Sequence, residues 1–173
     1  MNTEGALNFQ IALEQRIAKI YQRIGDQFPS KALSINKEDN LWKNLARDER
    51  KHAALLKIEK AFLKTGARVT NPVEINDETQ KKIEAMLSRY EEQITHGITE
   101  AEAIQILKDL EACDEEFFLP LLRATDSKLL SQFSDYSQSY RTHERRVQKG
   151  LSGFKNQMRR KTDKQPKEEN PNV

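Results

Sequence analysis

Glu49-Arg50-Lys51-His52 sets a carboxylate and an imidazole three residues apart within the stretch LWKNLARDERKHAALL, residues 41–56. On a helix that spacing puts an oxygen and a nitrogen donor one turn apart on the same face. The face is the wrong one for solvent, because Leu41, Trp42, Leu45, Ala46, Ala53, Leu56 and Leu63 fall on the same arc. Three other segments repeat the anomaly. Glu14 falls among Leu7, Ile11, Leu13, Ile17, Tyr21 and Ile24; Glu111 sits at the centre of an arc of Ile104, Leu107, Leu110, Phe117, Phe118 and Leu121, with Asp114 one turn on; and Tyr140 and His143 lie between Phe133, Tyr136, Val147 and Leu151.

A single glutamate on an apolar arc usually reaches out to water along its own stem. A single histidine there is more often a hydrogen-bonded core residue than a ligand. Polar residues on all four arcs at similar depth are a different matter, because each buried ionised carboxylate costs several kcal/mol unless something compensates. Two histidines cannot balance three or four carboxylates, and no Lys or Arg recurs on these arcs except near their margins. A bound cation is the economical compensation, and mixed carboxylate and imidazole ligation without thiolates suits iron or manganese better than calcium or a structural zinc knot.

The segments that must position these side chains are legible from breakers and caps. A first helix is predicted from about Leu7 to Phe28, ending at Pro29. A second follows Ser34 or Asn36 as N-cap and runs to about Lys64, before Thr65-Gly66. A third spans Glu78 to Thr95 and stops at His96-Gly97, and a fourth starts at the Thr99–Glu102 capping box and reaches about Arg123, with Pro120 kinking or ending its last turn. The fifth is predicted over about Ser127 to Phe154. The fold class is all-α, with a helical bundle over residues 1–154 and a polar, disordered tail over 155–173. The third helix reads as an ordinary amphipathic cover.

Composition narrows the function classes. The 173 residues carry 29 basic and 27 acidic groups, a net charge of +2 spread along the chain, which argues against a dedicated nucleic-acid or membrane-surface protein. One cysteine excludes an internal disulfide framework or a CxxC iron or zinc centre within these residues, and a reducing, cytoplasmic location is expected. No apolar run reaches the ~18 residues needed to span a bilayer, and the N-terminus lacks the layout of a signal peptide.

Taken together, LEQRIAKIYQRI, LWKNLARDERKHAALL, GITEAEAIQILKDLEACDEEFF and YSQSYRTHERRV resemble the ferritin-like di-iron carboxylate proteins, and more closely their rubrerythrin-type branch without the rubredoxin domain. The resemblance covers about residues 7 to 154. It implies a ferritin-like four-helix bundle with a long crossover that contains the extra helix. It also implies metal ligation by Glu14, Glu49, His52, Glu111 and His143, with Asp114 as an additional carboxylate. Glu14 with Tyr21 and Glu111 with Phe118 match the family's glutamate followed seven residues later by an aromatic. Tyr21 and Tyr136 are expected to hydrogen-bond ligand carboxylates, as buried phenols need partners. Trp42 is expected to pack around the site, Cys113 to lie away from it, and His96 to be a helix-terminal residue only.

One position departs from the pattern. The last helix should carry a second Glu-x-x-His, but Tyr140 stands where its bridging glutamate would be. Tyr140 as a phenolate, Asp114 from the fourth helix, or Glu144 from the edge of its arc could replace it, and Asp114 is favoured; a single metal, or none, is the other outcome. By resemblance the function is peroxide or dioxygen reduction at two irons, with manganese or a single metal as variants. Electrons would come from a separate redox partner, and the assembly would be a homodimer. The competing class is a bundle with a degenerate metal site that serves as an interaction or regulatory module.

Overall fold

The computed structural model describes residues 2–29, 40–122 and 134–162, apart from the side chains of 114–120, 122, 134–140, 157, 158 and 160–162. These residues form five helices and no strand: α1 Thr3–Gln27, α2 Leu41–Lys64, α3 Asp77–His96, α4 Glu100–Leu122 and α5 Ser134–Thr162. The all-α class holds. None of the five is long and apolar enough to cross a membrane.

The helices start where side chains can take up free backbone amides. Asn2, Asn40 and Asn76 cap α1, α2 and α3 by accepting from the amides of Gly5, Lys43 and Thr79. At α4 the predicted capping box is closed in both directions: Glu102 accepts from the Thr99 amide at 2.7 Å, and Thr99 Oγ1 accepts from the Glu102 amide at 3.3 Å. Gly97, at φ +87°, ends α3 in the left-handed region that glycine tolerates.

The start of α2 corrects the sequence expectation. Its cap is Asn40, not Ser34 or Asn36, which lie outside the described residues. Asn40 has more to offer than a cap, since its amide nitrogen donates to the carbonyls of Gly25 and Phe28, at 3.2 Å each. One side chain thereby fastens the start of α2 to the end of α1. Asn40→Ala is expected to lower stability by about 1–2 kcal/mol, read as a lower urea midpoint with an unchanged slope.

Packing is centred on an antiparallel α1–α2 pair, with Gly25 facing Trp42 and Lys43 at one end. A Cβ at Gly25 would stand 3.1 Å from both neighbours, so a larger residue there would make Trp42 and Lys43 give by a few tenths of an ångström. Helix α1 also touches α3 and α4, α2 touches α4 and α5, and α4 touches α5. The core is built from the apolar arcs, with Leu13, Ile17, Ile20, Leu45, Leu56 and Leu107 among the residues that are essentially inaccessible. Helix α3 buries Ile83, Leu87, Tyr90 and Ile94 and is held by a two-pronged Arg16–Glu91 pair, at 2.9 and 2.8 Å. Its role as a cover agrees with its pattern.

Helix α4 runs through Pro120 to Leu122, in line with its expected reach to about Arg123. One helix end differs from expectation. Helix α5 continues past Phe154, where the apolar pattern ends, to Thr162. Residues 155–162, drawn largely from Lys, Arg, Gln and Met, are good helix formers, and cations favour a helix C-terminus. Hence the end of the apolar stripe was not the end of the helix.

Candidate metal centre

Five of the six residues expected to bind metal converge. Glu14 from α1, Glu49 and His52 from α2, Glu111 from α4 and His143 from α5 form two overlapping groups of three. The first is Glu14, Glu49 and His52, and the second Glu49, Glu111 and His143; within each, one donor atom per residue lies within 4.8 Å of the others. Glu49 belongs to both.

The distances show how one carboxylate joins two halves. Glu49 Oε2 lies 2.8 Å from His52 Nδ1, and its other oxygen, Oε1, lies 3.5 Å from His143 Nε2. On the first side, Glu14 Oε2 stands 3.8 Å from His52 Nδ1, and Gln10 donates to Glu14 Oε1 at 2.7 Å. On the second, Glu111 Oε2 stands 2.9 Å from His143 Nε2. The two imidazoles face each other edge to face, with ring centroids 5.0 Å apart.

Support around the donors is equally specific. Tyr21 is fully buried and donates its hydroxyl to Glu111 Oε1 at 2.7 Å, as the sequence suggested. Trp42 packs near Tyr21, with ring centroids 6.0 Å apart, which fits a packing role. Tyr21→Phe should leave the fold intact but weaken metal binding about 10–100-fold, because the phenol fixes the orientation of a donor carboxylate. Titration of metal into the two proteins reads this directly.

Sequence reasoning missed Asp48. It is 1 % exposed, with Oδ2 3.9 Å from His143 Nδ1 and an ion pair to Arg146; Lys51 lies 3.3 Å from Oδ1. Arg146, which is half-buried, is one of the basic side chains that the sequence allowed only near the margins of the arcs. A signal was present, because His143 and Arg146 are three residues apart and share a helix face. Glu59, also buried, was missed too; it lies farther along α2, outside both groups.

These charges set the protonation of the histidines. Burial opposes a charged His52, yet the carboxylates of Glu49 and Glu14 outweigh it and hold the imidazole well above its ordinary 6.5. His143 is likewise opposed by burial, and Glu49, Asp48 and Glu111 push it up to about 10. Burial also acts against an ionised Asp48, but hydrogen bonds from His143, Arg146 and Lys51 prevail and hold it far below the usual carboxylate range. Both rings therefore carry protons that a metal would have to displace.

Compared with protein-family models, curated proteins and solved structures, the chain matches none of them. Its site must be judged on geometry.

The remaining expectations divide by position. The side chains of Asp114, Tyr136 and Tyr140 lie outside the described residues. Glu144 is exposed and not among the clustered donors, Cys113 is half-buried against the core, and His96 is the exposed last residue of α3. The clustered donors, two imidazoles and three carboxylates without a thiolate, could hold a metal ion.

Proposed function

We propose that this chain is a ferritin-like metal protein of rubrerythrin type, which holds two irons and reduces peroxide or dioxygen with electrons from a separate donor. In this reading α1, α2, α4 and α5 are the four bundle helices, and α3 belongs to the crossover between α2 and α4. What carries it is the position of Glu49. Its two oxygens point to different histidines, each backed by its own further carboxylate, so Glu49 could serve both of two bound metals.

Bound there, two irons would supply two-electron exchange with dioxygen or peroxide. Glu14 and His52 would hold one side, Glu111 and His143 the other. The protein's own contribution is orientation and dryness. Tyr21 fixes Glu111, Gln10 fixes Glu14, and the Asp48–Arg146 pair stands behind His143. Among these 173 residues there is one cysteine, so a four-cysteine electron-entry centre is not within them, and a separate redox partner is part of the proposal.

A second reading has its own observation. The carboxylates of Glu14, Glu49, Glu111 and Asp48 face His52, His143, Arg146 and Lys51, so protons and basic side chains can balance the cluster with no metal at all. A bundle with this polar core could serve as an interaction module. Elemental analysis after anaerobic ferrous loading and desalting separates the two: about two irons per chain supports the di-iron reading, and none supports the module. One iron would mean that the absence of a glutamate three residues before His143, where the sequence has Tyr140, matters.

A further inference from the structure

The centre is sealed unevenly. Glu14, Glu49, His52 and His143 are at most 2 % exposed, whereas the Glu111 side chain keeps 16 % of its surface. Over that side lies a cleft of about 200 Å³ between α4 and α5. Lys108, Glu111 and Ala112 form one wall, and His143, Val147 and Leu151 the other. The second set is spaced by four residues, so it forms one ridge running from a donor histidine to the cleft's apolar part.

We infer that this cleft binds a small, neutral organic hydroperoxide, with its apolar body on Ala112, Val147 and Leu151 and its hydroperoxyl head toward Glu111 and His143. The inference rests on the reading of those two residues as metal donors. Size is the first reason. A water occupies about 30 Å³ of liquid and a benzene-sized ring fits a cavity of roughly 150 Å³, so hydrogen peroxide would leave most of this cleft unfilled while a ring with a short polar head would fill it. Charge is the second reason. Lys108 is opposed by Glu111 and by Glu144, which also lines the cleft, so the walls offer no excess of positive charge to an anion. Reduction of such a molecule breaks its O–O bond, consumes two electrons from the external donor and two protons, and leaves an alcohol and water.

The alcohol product supplies a redox-inert probe. Benzyl alcohol titrated into the full chain, metal-free and zinc-loaded, should shift the methyl resonances of Ala112, Val147 and Leu151 in a saturable manner. To the metal-free chain, benzoate, similar in shape but anionic, should bind at least about tenfold more weakly. Ala112→Phe, at an exposed helical position, should fill the cleft and abolish the shifts; Gln148→Phe, exposed at the same cleft, is a second variant should the first fail to fold. Shifts that are absent, that persist in the filled variants, or that benzoate reproduces at equal concentration in the metal-free chain would overturn the proposal. Metal content is measured separately. A chain that binds benzyl alcohol in the cleft but no iron loses the metal reading and keeps the site, and a chain that holds iron but leaves these methyls unmoved does the reverse.

Discussion

Replacing Glu49 with alanine is expected to weaken both halves of the centre at once. Glu49 is common to the two groups of donors, so its loss removes a ligand from each. Loss of a group that merely orients a ligand already costs 10–100-fold in metal affinity, so loss of the shared donor should exceed about a hundredfold. Glu14→Ala and Glu111→Ala should each affect one half, leaving close to one metal per chain. Cys113→Ala should change nothing, because Cys113 is not among the donors. Glu49→Gln keeps the volume and removes the charge, which guards against confusing lost ligation with a collapsed core. Elemental analysis of the wild type and all five variants, with circular dichroism to verify folding, is the measurement. Equal metal in wild type and Glu49→Ala would rule out Glu49 as the shared ligand.

Glu49 and His52 were legible in the sequence because helical periodicity fixes which face a side chain occupies, and these two occupied an apolar one. The same reasoning placed Glu14, Glu111 and His143, since each sits in a helix whose arc has a clear centre. Asp48 escaped it. Adjacent to Glu49, it lies about 100° around the helix, at the margin of the arc, where a residue is solvated or buried according to which neighbour packs there. Helix α5 provides that neighbour through Arg146, a tertiary pairing that periodicity within one helix does not encode. The start of α2 was misplaced for a related reason. Ser34, Asn36 and Asn40 are all competent caps locally, and the choice is made by the carbonyls of Gly25 and Phe28, which belong to a different helix. By contrast the Thr99–Glu102 box and Gly97 are local devices, and both act as read.

Metal binding should release about two protons per filled centre at neutral pH, one from each histidine, because a ligand nitrogen must be free of its proton. In the metal-free protein His52 is held well above 6.5 and His143 at about 10, so both are charged at pH 7. Affinity should therefore fall as pH is lowered, through competition by protons. Stability of the metal-free protein should run the other way. For a group whose pKa is raised on folding, the stabilisation is complete below its unfolded value near 6.5 and disappears as pH rises through the folded value. The folded chain holds a proton at His143 between about pH 6.5 and 10 that the unfolded chain has released, so unfolding becomes easier across that window, by on the order of a few kcal/mol. Asp48 has the opposite sign: its stabilisation is present above the ordinary carboxylate range and is lost as acid protonates it. Metal takes over the role of the histidine protons, so the loaded protein should lose little stability between neutral pH and 10. Calorimetric titration in two buffers of different ionisation enthalpy counts the protons released, and urea unfolding across pH, with and without metal, follows the stability. Metal uptake without proton release would mean that the histidines are not the ligands, whatever their distance from the carboxylates.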